Sequence, residues 1–228
     1  MKKSIKNTIM AGTLVVAIAV SGALAYLTDT DEAVNTFTVG EVNIGLSEPN
    51  WDATEAENVW SGKTIEKDPQ VTNEGENKAY IYLAVEIPKA NVITADAAGN
   101  KLPQQETQLF TLNELSESWT EIDRIVDEGA ASNFYLFAYN EEVAPGASTE
   151  ALFKSVTVAN LIEGQIVDNP NTTENEAAMN INVTAYAIQS QFDDDSESTK
   201  KTPAQAWALF ANQHKGEELP FVSQDTTP

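Results

Sequence analysis

The sequence predicts an all-β chain, an antiparallel sandwich or barrel with a few peripheral helices, and three observations carry that prediction. Ala79, Ile81, Leu83, Val85 and Ile87 alternate with Tyr80, Tyr82, Ala84 and Glu86. That is the two-residue period of a strand, sustained over a stretch rich in β-branched and aromatic side chains. Ile181, Val183, Ala185 and Ala187 alternate in the same way with Asn182, Thr184 and Tyr186. Finally, short apolar runs recur between turns built from Gly, Asn and Pro, the rhythm of an antiparallel architecture.

The remaining elements follow in order. Phe37 and Val39 share one parity, and Val42, Ile44 and Leu46 share the other, with the change of phase at Gly40-Glu41. A slip of one residue turns every side chain to the opposite face, so a bulge or bend is expected at Gly40. Residues 48–57 and 168–176 read as loops. Asn73-Glu74-Gly75-Glu76-Asn77 is a turn leading into the Tyr80 strand. Residues 119–126 are ambiguous, because Trp119, Ile122, Ile125 and Val126 fit helical spacing while Trp-Thr-Glu-Ile also suits a strand. The continuous apolar run 134–139 reads as a buried strand. Residues 152–158 read as another, opened by the turn Ala144-Pro145-Gly146-Ala147. One helix is signalled near the C-terminus: Thr202 caps it, Pro203 suits its first position, and Ala206, Trp207 and Phe210 fall on one face, which is expected to cover the sandwich. Residues 223–228 read as a disordered tail.

The N-terminus has the pattern of an export signal. Lys2, Lys3 and Lys6 precede an apolar run from Ile9 to Val20, broken only by Gly12 and Thr13, and Ser21-Gly22-Ala23-Leu24-Ala25 follows. Small residues at Ala23 and Ala25 form the pattern a signal peptidase accepts. The run is shorter than the roughly 20 apolar residues of a spanning helix. The expected organisation is a removed signal peptide (1–25), an extended segment (26–36), a sandwich domain (37–222) and the tail (223–228). The expected location is secreted, at the cell surface or in the extracellular matrix, with no stable membrane insertion after cleavage.

Charge narrows the partners. The chain carries 13 Lys+Arg against 35 Asp+Glu, a net −22, and loss of the three leader lysines takes Lys+Arg to 10 and the net charge to 10 − 35 = −25. Such a surface repels nucleic acid and anionic lipid. Four Trp, six Tyr and eight Phe supply core material, which argues against disorder for most of the chain. With no cysteine, stability in an oxidising compartment rests on the core or on assembly.

A search for chemistry finds little. The single histidine, His214, lies just past the terminal helix, where a dipole-compatible surface role is expected. There is no H-E-x-x-H, no G-x-S-x-G, no phosphate loop and no dinucleotide fingerprint. One histidine and no cysteine cannot make a nitrogen- or sulfur-rich zinc site within one chain. No catalytic residue and no cofactor is expected. The densest acidic run, Asp193-Asp194-Asp195, reads as a solvated loop or, alternatively, as oxygen ligands for calcium, although it lacks the calcium-loop motif and its central glycine.

Ala25-Tyr26-Leu27-Thr28-Asp29-Thr30-Asp31, followed by Asn35-Thr36-Phe37-Thr38-Val39-Gly40-Glu41-Val42, resembles the leader and mature start of the TasA/camelysin family of Gram-positive secreted proteins, which are processed by a dedicated signal peptidase. Ala144-Pro145-Gly146-Ala147-Ser148-Thr149 with Leu152-Phe153, and Ala185-Tyr186-Ala187-Ile188-Gln189-Ser190 before the helix, are similar to later parts of that family; the leader is the most specific part, and residues 90–108 match none of it. The resemblance implies a jelly-roll-like sandwich that polymerises into biofilm-matrix fibres, the extended N-terminus of one subunit completing the sheet of the next. The donor residues would be Tyr26, Leu27, Thr28, Asp29, Thr30, Ala33 and Val34. Partners would be further copies, head to tail, or related matrix subunits, with signal peptidase during export. Two alternatives stay open. One is a non-polymerising adhesin or accessory matrix protein, for which residues 219–221 supply no full wall-sorting signal. The other is a camelysin-like surface metallopeptidase, which the missing zinc motif speaks against. A segment of 26–35 that pairs within its own subunit, or is disordered, also remains open.

Overall fold

The computed structural model describes residues 42–56, 59–162, 180–190 and 201–222, together with the backbone pairing of 28–31. Eleven strands lie among them: β1 (Thr28–Asp31), β2 (Ile44–Ser47), β3 (Thr64–Glu66), β4 (Gln70–Asn73), β5 (Ala79–Val92), β6 (Gln105–Gln108), β7 (Phe110–Asn113), β8 (Trp119–Ile125), β9 (Ser132–Tyr139), β10 (Ser155–Val158) and β11 (Asn182–Gln189). One α-helix, α1 (Pro203–Gln213), follows β11. The largest sheet runs β1-β11-β5-β9-β8, with β6 added to the far end of β5; the smaller sheets are β3-β10-β7 and β2-β4, and every pairing is antiparallel. The chain is an all-β sandwich with a helix on one outer face.

Strand β5 is the axis of the fold, and its alternation explains the layering. Ala79, Ile81, Leu83, Val85 and Ile87 face the main core, where Ile44, Ile65, Val71, Phe110, Val156 and Val158 of the smaller sheets meet them. Tyr80, Tyr82 and Ala84 face the other way, yet they too are buried, because α1 lies over them. Pro88 has no N–H for a ladder, and it sits where β5 has left β11 (last pair Asn182↔Glu86) and has not yet met β6 (Lys89↔Gln108).

Helix α1 forms as the sequence predicts. The Thr202 hydroxyl accepts from the Gln205 amide, and the Gln205 side chain accepts from the Thr202 amide, a closed capping box with Pro203 in the first turn. Ala206, Trp207 and Phe210 are its buried residues. The hydroxyls of Tyr80 and Tyr82 donate to the carbonyls of Lys201 (2.6 Å) and Pro203 (2.7 Å), which fastens the start of the helix to β5.

One ambiguity is resolved and two expectations are refined. Residues 119–125 are a strand: Trp119 belongs to the main core and Ile122 to the helix side, so their odd separation marks a change of face and not a helical turn. The strand expected over 152–158 narrows to Ser155–Val158. Leu152 and Phe153 are fully buried but irregular, since the chain there bonds across to β4's approach, Leu152 N to Pro69 O (3.0 Å) and Thr149 N to Val71 O (2.8 Å). The loop 48–57 contains a short 3-10 turn, Ala53–Ala56. The turn at 144–147 is present, with Gly146 at φ +73°, a conformation that glycine adopts without strain. The phase break at Gly40, the loop 168–176 and the tail 223–228 lie outside the described residues.

The β5–β6 arm is stapled by one buried cation. Lys89, its side chain only 4% exposed, reaches Glu106 at 2.7 Å and donates to the Asp127 carbonyl. The Glu106 carboxylate also accepts from the Gly129 amide (2.8 Å). The Lys89 bond first, then the Gly129 amide, hold the Glu106 carboxyl below the ordinary 4.5. A depressed carboxyl contributes stability above 4.5 that is lost as the pH falls through its lower folded value. Hydrogen exchange, corrected for its intrinsic rate, should therefore show Ala90–Val92 and Gln105–Gln108 losing protection below that pH, and E106Q should abolish the acid sensitivity.

Candidate subunit interface

The two edges of the large sheet are built differently. At one edge, β8 carries Glu121, Asp123 and Arg124, and a β-bulge interrupts its register between Glu121 and Asp123. Charges and a bulge on an edge strand prevent another strand from pairing there. At the other edge stands β1, and without it β11 would be the edge. The register is Thr28↔Ile188, Asp29↔Ala187, Thr30↔Tyr186 and Asp31↔Ala185.

β11 has none of the protection seen on β8. Its stretch Ala185-Tyr186-Ala187-Ile188 has no charge, no proline and no bulge, and all four residues are at most 1% exposed. Ala185 and Ala187 pack into the main core, while Tyr186 and Ile188 pack under α1. A straight apolar strand of this kind requires a partner for its outer N–H and C=O groups, and β1 supplies one.

Of the residues expected to form a donor strand, Thr28, Asp29 and Thr30 lie in β1, paired within the same chain. Tyr26, Leu27, Ala33 and Val34 lie outside the described residues, as do Ala23 and Ala25 of the cleavage pattern and the acidic run Asp193, Asp194 and Asp195. The sequence points to the segment; it does not point to β11 as its acceptor, because that pairing joins the two ends of the chain.

His214 is more enclosed than a surface role implies. It ends α1, its ring stacks on Phe210 (centroids 4.4 Å apart), its side chain is 17% exposed, and Nδ1 lies 3.0 Å from a Glu217 carboxylate oxygen. The return of the chain at Glu217 over the helix end encloses it.

A sandwich with one charged, bulged edge strand and, at the other side, an apolar strand covered by its own N-terminal strand is the class of protein defined here. A family model described as camelysin metallo-endopeptidase matches residues 1–119, more than half of the 228. The chain belongs to the camelysin family. No curated protein and no solved structure matches it. Among the described residues, no helix is long and apolar enough to cross a membrane.

The family description implies a metal, and the donors present were set against it. A catalytic zinc takes three protein ligands, usually with histidine among them. The chain has no cysteine and a single histidine, which is engaged with Phe210 and Glu217. Among the described residues, no three His, Cys, Asp or Glu side chains converge. A single histidine, no cysteine and the described carboxylates do not fit a histidine-bearing peptidase zinc centre.

Proposed function

We propose that this chain is a secreted structural subunit of extracellular fibres, on the cell surface or in a biofilm matrix, and not an enzyme. After cleavage behind Ala25, the segment that begins at Tyr26 is freed, leaves its own β11 and pairs with β11 of the next subunit. The observation that carries this reading is the unprotected apolar edge of β11, closed only by a short segment next to the expected cleavage site. Backbone pairing is the same whichever copy supplies the strand, so the ladder seen within one chain serves equally between two. Head-to-tail donation does not close on itself and yields filaments. The bulged, charged edge at β8 keeps growth to a single mode. Membership of the camelysin family supports a family-level role, and the donor set speaks against peptidase chemistry.

The test is negative-stain microscopy of the chain beginning at Tyr26, beside a variant lacking Tyr26–Asp31. The former should form regular filaments, while the latter should stay a folded monomer that caps growing fibres when added in excess. Fibres from the shortened variant would overturn the mechanism, and a persistent monomer from the full mature chain would favour an adhesin or accessory role.

A further inference from the structure

The connection from β2 to β3 leaves two tryptophans on the surface, Trp51 at 37% exposure and Trp60 at 63%. A singly exposed indole is ordinary, but these two are each held against a lysine whose side chain is largely buried. Lys67 Nζ lies 4.9 Å from the Trp51 ring centre and 2.6 Å from a Glu48 carboxylate oxygen, with its side chain 10% exposed. Lys63 Nζ lies 4.7 Å from the Trp60 ring centre and 3.7 Å from a Glu55 carboxylate oxygen, with its side chain 11% exposed. Each ring thus lies against a lysine that is itself held by a carboxylate, and Trp60 keeps most of its surface open to a ligand. The loop backbone is moored as firmly. Asn50 gives two hydrogen bonds to buried Asp68 (2.9 and 2.8 Å), and Ser61 bonds Leu161 O (2.6 Å). These contacts fix Asn50 and Ser61, the residues next to the two tryptophans of this platform, which lowers the ordering cost of binding there.

Beside the platform lies a cavity of about 660 Å³ lined by Asn50, Asp52, Glu55, Thr64 and Glu66. Trp51 is set between two of these residues in the chain, and Trp60 joins a third through Lys63 and Glu55. The lining offers an amide, a hydroxyl and three carboxylates, of which, among the described residues, only Glu55 is paired with a lysine. Asp52 is engaged on one oxygen by Thr54, 2.9 Å from its amide and 2.7 Å from its hydroxyl, and these bonds hold its carboxyl below the ordinary range. At neutral pH the cavity therefore carries uncompensated negative charge.

We propose that this platform and cavity bind a glycan strand whose sugars bear free amino groups. A pyranose ring stacks its C–H face on an indole, as flat aromatic surfaces accept apolar faces. Its hydroxyls bond the amide, the hydroxyl and the carboxylates, and its ammonium groups neutralise Asp52 and Glu66. An anionic glycan is repelled, and a fully N-acetylated one leaves those two carboxylates unmatched. A lysine-rich peptide would match the charge but would have no ring to lay on Trp60.

The experiment titrates the full chain with a glucosamine tetramer, its N-acetylated counterpart and tetralysine, following heat and indole fluorescence. The glucosamine tetramer should bind, the N-acetylated form should bind about tenfold more weakly, and W60A should lose about tenfold while W60F retains most of the affinity. E66Q should weaken the amino sugar and leave the N-acetylated one unchanged. Trp60 is exposed, so unchanged thermal melting of W60A excludes misfolding as the cause. No saccharide binding by the wild-type chain would overturn the proposal, as would equal binding of both saccharides. Tetralysine binding that is as tight as the amino sugar's and indifferent to W60A would reduce the site to an acidic patch, which also overturns it.

Discussion

Replacing Trp207 with alanine is expected to cost about 3–5 kcal/mol of stability, the range for truncating a buried aromatic side chain. Trp207 is 7% exposed and stands at the centre of an aromatic cluster, with ring centres 5.0 Å from Tyr82, 5.6 Å from Tyr186 and 4.8 Å from Phe210. Helix α1 is 11 residues long, and a helix of that length is marginal alone, so this face is what keeps it formed. Loss of the indole leaves a cavity under the helix and strips cover from β5 and β11 together. Urea denaturation should show the lower midpoint, and exchange should show the amides of α1 opening first.

The control for that experiment is Y82F. It keeps the ring contact with Trp207 and removes only the bond to Pro203 O, so a cost of about 1 kcal/mol is expected. A second readout comes from alkali. Burial, and then the neighbouring Tyr80, push the Tyr82 phenol above its ordinary 10. The unfolded chain ionises first, so the stability present below 10 is lost as the pH rises beyond that value. Y82F should flatten that loss; an unchanged alkaline slope would mean that another group governs it.

The helix was legible almost entirely, because capping chemistry and a one-sided apolar stripe are local signals. Thr202, Pro203, Ala206, Trp207 and Phe210 each take the expected place. The alternation around Tyr82 located a strand, yet periodicity cannot say what covers the second face; Tyr80 and Tyr82 are buried because a helix from far along the chain lies on them. Residues 119–125 were ambiguous for a related reason, since residues on opposite faces of a strand mimic helical spacing when both faces are packed. The N-terminal segment could be singled out by its place after the cleavage pattern, but its acceptor depends on strand order, which is non-local. The connection from β2 to β3 shows what a local reading misses. Its tryptophans gain their setting from Lys63, in the turn after Trp60, and from Lys67, which β3 carries back to Trp51.

Asn73 makes the sharpest test of buried polar order. Its side chain is fully enclosed and uses three hydrogen bonds: the amide nitrogen donates to Asn77 O and Val143 O, both at 2.8 Å, and the oxygen accepts from the Gly75 amide at 3.0 Å. Its backbone also pairs with Ala147 and Gly146, so one residue ties the turn before β5 to the turn at 144–147. Asn73→Leu keeps the volume and leaves those three partners unpaired, each costing about 1–3 kcal/mol, so a total loss of about 3 kcal/mol or more is expected in chemical denaturation. Asn73→Asp separates hydrogen bonding from shape. Its carboxylate still accepts from Gly75 but faces two carbonyl oxygens, which raises its pKa in the folded state. The stability that a raised pKa contributes is present at low pH and lost as the pH rises, so N73D should be no more stable than N73L at neutral pH. It should gain on N73L as acid protonates the carboxyl and restores one donor. Parallel pH profiles for the two variants would show that Asn73 acts through its volume and not through its bonds.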